Sequence, residues 1–374
     1  MSRRILMVAG EASGDALGAR LAAALLECDP ALHLFGVGGP RMRGAGVEIL
    51  TDISELGVMG FAELGRGLGR AIGLLRRLRR ELRSGAADLF VPIDFPDFNL
   101  PLCRTARRAG VKVAYYVSPQ VWAWRRGRIA TIAATVDRMI VLFPFEEQLY
   151  RKAGIDAHFV GHPLAEDVTA RADPATTRRR YGLTGDAPLL ALLPGSRRRE
   201  VDIMLPPMLE AARALSARVQ CAAAEAVSLP PGFLASRLGS GGRRIAVVRD
   251  DTYDLLAASD VALVTSGTAT LETALLGCPM VVAYRMSAFT YAIARRLVKV
   301  PHIAMPNLLL GRTVVPELIQ DEVTGPRMTQ EVARYLDEPD YRARTVAALG
   351  KVRGSLRRPG SVRAAARLVL ETLA

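Results

Sequence analysis

Residues 4–15 read Arg4-Ile5-Leu6-Met7-Val8-Ala9-Gly10-Glu11-Ala12-Ser13-Gly14-Asp15, and this stretch decides the fold class. A strand-length apolar run ends at a glycine, and an Ala/Leu-rich run follows the turn. Strand, glycine-bearing turn and helix in that order open a βαβ unit. Working outward, further strands are predicted at Leu32–Val37, Asp88–Ile93, Val111–Val117, Arg138–Phe143 and His158–Gly161, with helices such as Pro101–Arg108 between them.

From 165 to 187 the pattern breaks into a polar, charge-rich stretch, and then the same grammar restarts. Pro188–Leu193 reads as a strand that runs into Pro194-Gly195-Ser196 and a helix. Ile245–Val248, Val261–Thr265 and Met280–Ala283 read as strands, and Ser266-Gly267-Thr268 leads into a helix at Ala269–Leu276. The expected product is an α/β chain of two Rossmann-like parallel-sheet domains facing a cleft, since such sheets bind ligands at the carboxyl ends of their strands. The boundaries read as 1–165, 166–345 and a helical tail at 346–374, whose last helix, near Val362–Leu373, can pack on either domain.

With 374 residues, half of them hydrophobic, the chain can bury two such cores. Its apolar runs stop at strand length, so no membrane-spanning helix is expected. The N-terminus lacks the long apolar core and the cleavage site of a signal peptide. Cys28, Cys103, Cys221 and Cys278 are scattered without a C-x-x-C pair, which argues against structural zinc and for reduced thiols in the cytoplasm. The net charge of +13 attracts nucleic acid, anionic lipid or a phosphorylated substrate alike, and solvated arginines account for it equally well.

Phosphate chemistry is clearest in the second half. After the strand ending at Leu193, Gly195 lets the backbone approach an anion, Ser196 offers a hydroxyl, Arg197 can grip a diphosphate and Glu200 follows on the helix. Ser266, Gly267 and Thr268 begin a helix directly after a strand, where free N–H groups and a positive dipole end meet anions. Glu272, just over a turn further on, suits a ribose diol. A plain serine/threonine helix cap is the competing reading. Neither the P-loop pattern nor a Gly-x-Gly-x-x-Gly fingerprint is present, and no Asp-x-Asp pair signals a divalent metal. Arginine and helix dipole are therefore expected to neutralise the diphosphate, with no cofactor.

The first half offers an acid–base pair. Asp94 and Asp97, in Ile93-Asp94-Phe95-Pro96-Asp97-Phe98-Asn99, stand at a strand end. A carboxylate there can take a proton from an attacking alcohol, especially once burial raises its pKa. Each can instead cap a turn or helix. Glu11 and Asp15 flank the first turn and are the other acidic candidates. Trp122 and Trp124, beside Arg125, can wall a sugar or an acyl chain or simply pack under a loop, and His162 reads as a hinge residue.

One segment, 58–83, is amphipathic. Leu68, Ile72, Leu75, Leu78 and Leu82 follow helical spacing among six arginines, with Val58, Met59 and Phe61 just before them. Such a helix lies on an anionic bilayer, or turns its apolar face to a core.

These segments together resemble the lipid-A-disaccharide synthase family: GEASGD (10–15), GVGGPRM (36–42), ELGVMGFAE (55–63), IDFPDFN (93–99), YYVSPQVWAWRRGR (115–128), FPFE (143–146), VGHPL (160–164), LLPGSRRREV (192–201), SGTATLE (266–272), YRMSAFTY (284–291) and PNLLLGRTVVPELIQ (306–320). The resemblance implies an inverting glycosyltransferase of GT-B architecture. Such an enzyme condenses UDP-2,3-diacylglucosamine with 2,3-diacylglucosamine 1-phosphate to a β-1,6-linked lipid A disaccharide 1-phosphate and UDP. It implies UDP at Arg197, Ser196, Glu200, Ser266–Thr268 and Glu272, with Asn307 at the donor side. Asp94 becomes the base, and Ser13, Gly14, Asp97, Asn99 and Trp124 the acceptor side. A homodimer is implied too, and the 58–83 segment becomes the contact with the cytoplasmic face of an anionic inner membrane. Nucleic acid recedes as a partner. A UDP-N-acetylglucosamine 2-epimerase of the same architecture and a basic nucleic-acid-binding protein remain the rival readings.

Overall fold

A computed structural model of the chain describes residues 2–56, 64–122, 127–183, 186–238, 245–287, 290–292, 295 and 300–374. The chain forms two compact units, Met1–Pro163 with Arg358–Ala374, and Leu164–Arg357.

The first unit is built on seven strands, β1 (Arg4–Ala9), β2 (His33–Gly38), β3 (Glu48–Asp52), β4 (Leu89–Ile93), β5 (Lys112–Tyr116), β6 (Arg138–Val141) and β7 (Ala157–Phe159). All pair in parallel, in the order β3-β2-β1-β4-β5-β6-β7. Ile5, Leu6, Met7, Val8 and Ala9 are all fully buried, as expected of a parallel strand covered by helices on both faces. The second unit carries β8 (Leu189–Leu193), β9 (Gln220–Glu225), β10 (Ala246–Arg249), β11 (Val261–Thr265), β12 (Met280–Tyr284) and β13 (Glu317–Ile319). Their order is β10-β9-β8-β11-β12-β13, again all parallel. Counted within its own unit, the first sheet runs 3-2-1-4-5-6-7 and the second 3-2-1-4-5-6, both the doubly wound order. The order reverses between β1 and β4, and again between β8 and β11, and ligands bind beyond the strand ends at such points.

β3, β9 and β13 were not anticipated. The edge strand β3 (Glu-Ile-Leu-Thr-Asp) is only half-buried, with a three-residue run between two carboxylates, and the alanine-rich β9 (Gln-Cys-Ala-Ala-Ala-Glu) lacks the branched apolar residues that mark a strand. The 346–374 segment is divided. Helix Pro339–Leu356 stays with the second unit, while helix Ser361–Leu373 belongs to the first. Ala365, Ala366 and Val369 of that last helix are fully buried in the first unit's core. Arg138 Nη1 fastens it, bonding Leu368 O at 3.2 Å and Glu371 Oε2 at 2.8 Å.

The basic helix Leu64–Arg83 is a true amphipath whose apolar stripe is partly spent on the core. Leu74, Leu78 and Leu82, spaced by four, are buried, while Ile72 is 41% exposed and Leu75 half-buried. Leu78 and Leu82, which follow the same helical spacing in the sequence, thus turn to the core, while Ile72 and Leu75 stay accessible. No helix among the described residues is long and apolar enough to cross a membrane.

Candidate functional site

The first unit's switch point gathers Gly10, Asp94 and Asn99. Asp94 follows β4, and both it and Phe95 take left-handed backbone angles, φ 47° and 50°. Two successive non-glycine residues there cost about 1–3 kcal/mol each, so the surroundings must hold them. They do. Asp94 N donates to Tyr116 O (3.1 Å), and Asp94 O accepts from Tyr115 Oη (2.6 Å) and Asn99 Nδ2 (2.8 Å). Asn99, fully buried, also donates to Val8 O on β1 at 3.3 Å. Gly10 makes room: a Cβ there would sit 2.2 Å from the Phe95 ring. Burial raises the Asp94 carboxyl to about 6, a backbone N–H from Phe95 opposes the rise, and the nearby charge of Glu11 adds to it. A carboxylate of that strength is a competent base near neutral pH.

The neighbouring candidates separate by their partners. Asp15 is buried, and its two oxygens accept from Gly39 N (2.7 Å), Met42 N (3.0 Å) and Arg41 N (3.1 Å). It caps the short helix Pro40–Gly44, and its bonds to three N–H groups are those of a carboxyl that holds structure. Gly14 is buried, with Ala9 Cβ 3.3 Å from where its own Cβ would be. Glu11 and Ser13 are exposed at the start of the helix Ala12–Cys28. Asp97 is exposed and ion-paired with Arg128. Trp124 lies outside the described residues, as do Val58, Met59 and Phe61 and the side chain of Leu68.

A buried carboxylate two strands away went unnoticed in the sequence. Glu146 is 2% exposed, and its Oε1 accepts from Ser118 Oγ (2.7 Å) and Trp122 Nε1 (3.1 Å) while Oε2 accepts from Phe143 N (3.2 Å). Burial pushes it up to about 7 against these hydrogen bonds. The pattern Phe143-Pro144-Phe145-Glu146 carried a readable signal, a proline at a helix start with a Glu at its third position, which is a capping arrangement. His162, equally buried, is lowered to about 4 by desolvation and tilts against Phe143 at 5.2 Å.

In the second unit, Gly195, Ser196 and Arg197 follow β8, and Ser266, Gly267 and Thr268 follow β11, so both loops flank the switch point. Gly195 has φ 128°, and a Cβ there would lie 2.6 Å from Glu200 Cβ. Glu200 folds back over the loop: its Oε2 accepts from Ser196 N (3.0 Å) and Arg197 N (3.2 Å), and its Oε1 pairs with Arg197 Nη1 at 2.8 Å. Glu200 thus sits on the N–H groups and guanidinium that an anion at this loop would use. Gly267 (φ 153°) and Thr268 are exposed at the start of helix Thr268–Leu275, where the first N–H groups have no helical acceptor. Ser266 Oγ donates to Ile303 O at 3.1 Å. Glu272, half-buried and raised by desolvation, accepts from Tyr253 Oη at 2.9 Å through Oε1.

Asn307 is fully buried and engaged at both ends of its amide. Nδ2 donates to Val315 O (2.9 Å) and Glu317 Oε1 (2.7 Å), while Oδ1 accepts from Val314 N (2.7 Å) and Val315 N (3.0 Å). With its amide engaged on the chain, Asn307 ties together the 314–317 segment.

The family model described as lipid-A-disaccharide synthetase matches residues 5–370. The chain belongs to the lipid-A-disaccharide synthetase family. Lipid-A-disaccharide synthase of Geobacter sulfurreducens is 45% identical, covering 100% of this chain and 98% of its own. That of Myxococcus xanthus is 44% identical, covering 99% and 97%. Among solved structures, the glycotransferase of kitacinnamycin superposes with TM-score 0.65 at 18% identity over 100% of both chains. A putative UDP-N-acetylglucosamine 2-epimerase from Listeria monocytogenes gives 0.62 at 12%, covering 99% and 95%. The chain therefore has the GT-B fold, seen in a glycotransferase and in a putative epimerase alike, and fold alone does not choose between their chemistries.

Proposed function

We propose that this chain transfers 2,3-diacylglucosamine from UDP to the 6-hydroxyl of 2,3-diacylglucosamine 1-phosphate with inversion, giving the β-1,6-linked disaccharide 1-phosphate of lipid A and UDP. The observation that carries the mechanism is Asp94: a carboxyl raised to about 6, held by a strained, triply hydrogen-bonded turn at the first switch point. As the acceptor oxygen attacks the anomeric carbon, its proton passes to Asp94 and the bond to UDP breaks. Arg197 and the N-terminal end of helix Thr268–Leu275 meet the charge growing on the diphosphate. Glu272, with Oε1 held by Tyr253, keeps its second oxygen for the ribose diol. Glu200 has to yield Ser196 N and Arg197 when the diphosphate arrives.

The exposed Ile72, half-buried Leu75 and the arginines at 76, 79, 80 and 83, which line a cavity of about 520 Å³, support peripheral attachment to an anionic membrane surface, with ~1 kcal/mol per basic residue. Mass spectrometry of products from UDP-diacylglucosamine and diacylglucosamine 1-phosphate, with and without EDTA, tests the reading. A disaccharide 1-phosphate formed equally in both supports it; UDP-N-acetylmannosamine formed from UDP-N-acetylglucosamine would overturn it in favour of an epimerase.

A further inference from the structure

Glu146 has no part in the chemistry above, yet it is among the most fully enclosed carboxyl groups of the first unit. Its three donors come from two places: Ser118 and Trp122 from the segment after β5, and Phe143 from the residue that starts its own helix. The segment is pinned a second time, since Tyr150 Oη donates to Pro119 O at 3.2 Å. Above Glu146 sits a run of half-buried rings. Trp122 meets Phe145 edge-on at 5.2 Å, and Phe145 stacks on Phe143 at 5.7 Å.

The chemistry of this cluster is unusual for a sugar-binding wall. A tryptophan that reads a sugar combines its flat face with an N–H offered to a hydroxyl. Here the indole N–H is turned inward and consumed by Glu146, as is the hydroxyl of Ser118. His162, against Phe143, is held neutral by burial. What the cluster has left for a ligand is apolar. It stands at the ends of β5 and β6, the strands next in order after β4, whose end carries Asp94. At ~4.8 Å per strand, the ends of β5 and β6 lie about 5 and 10 Å across the sheet from the end of β4, within the span of an acylated sugar.

We propose that Glu146 is a positioning residue that locks Trp122 with its polar edge buried, so that Trp122, with Phe145, contacts an acyl chain of the acceptor and sets the enzyme's dependence on chain length. The inference rests on the acylated acceptor proposed above. Fully burying a methylene changes an equilibrium about fourfold, so chains that differ by two methylenes on the rings should differ by roughly tenfold in kcat/KM.

The test uses the intact chain with diacylglucosamine 1-phosphates of graded acyl length, at fixed mole fraction in mixed micelles, with UDP-diacylglucosamine as donor. In Trp122→Ala the long-to-short ratio of kcat/KM should fall about tenfold, chiefly through KM. Glu146→Leu, which strands the indole N–H and the Ser118 hydroxyl, should lower the ratio likewise. Glu146→Gln, whose amide oxygen can still accept both, should restore most of it. If Glu146→Leu does not fold, Trp122→Ala and Trp122→Phe carry the test, Phe keeping the ring and much of the ratio. A wild-type ratio in Trp122→Ala overturns the inference while leaving the transferase reading standing. Absence of disaccharide with every acceptor, in the unaltered protein, overturns the transferase reading instead.

Discussion

Asp94→Asn separates catalysis from stability in an unusual way. Holding this carboxyl at about 6 instead of 3.8 amounts to about 3 kcal/mol directed against the charged form in the folded state. A raised acid destabilises the fold at pH values above its folded pKa. The penalty grows as pH rises from about 4 to about 6 and is then complete. Asparagine carries no charge and tolerates the left-handed backbone that Asp94 adopts. The variant should therefore unfold at higher denaturant than the wild type above pH 6, by up to ~3 kcal/mol, and the gain should vanish near pH 4. Turnover should move the other way, falling by roughly 10²–10⁴ with loss of a general base, while UDP affinity stays put. The wild type should lose kcat/KM tenfold per pH unit below about 6, and whatever activity the variant retains should lack that limb. Urea titrations at pH 4.5 and 7.5, calorimetry with UDP, and a pH–rate profile of UDP release are the assays. A variant that keeps activity within a few-fold, or keeps the acidic limb, refutes Asp94 as the base and turns attention to Glu11.

Arg197→Ala should weaken UDP binding about tenfold or more and lower turnover with it, as read by calorimetry; unchanged affinity would remove Arg197 from the donor site. Glu200→Gln should tighten UDP a few-fold, because it removes a like charge from the two N–H groups a diphosphate needs, and weaker binding would show that Glu200 helps the donor instead. Asn307→Ala leaves Val314 N, Val315 N and Glu317 short of partners and should cost about 3 kcal/mol or more in urea unfolding. An activity loss with wild-type stability would return Asn307 to the donor. Ile72→Glu should cut binding to vesicles containing anionic phospholipid without lowering turnover of detergent-dispersed substrates; undiminished sedimentation with the vesicles would refute the membrane contact.

The sequence by itself determined the two sheets and the strand ends at which the candidate residues stand. Apolar runs, glycine turns and helical spacing are local signals, and Asp94, Arg197 and the Ser266–Thr268 loop all fall at strand ends that these signals mark. The doubly wound order then puts those ends at its switch points, which a linear reading cannot do because the order depends on which strands pair. Side-chain roles were decided only in three dimensions. Asp15, Glu200 and Asn307 have the right chemistry for a site, and each bonds backbone groups: Asp15 those of a helix 24 residues on, Glu200 those of the loop just before it, and Asn307 those of the turn just after it. Glu146 hides in a motif that looks like a helix cap, and its burial beneath Trp122 comes from residues on either side of two strands. Helix Ser361–Leu373 could be assigned to either unit from its apolar spacing, and the burial of Ala365, Ala366 and Val369 in the first unit's core is what decides it. A pattern along the chain states what a residue can bond. Which partner claims it depends on the course of the backbone in space, near in the chain for Glu200 and Asn307 and far for Asp15 and Glu146, and that course exists only once the chain has folded.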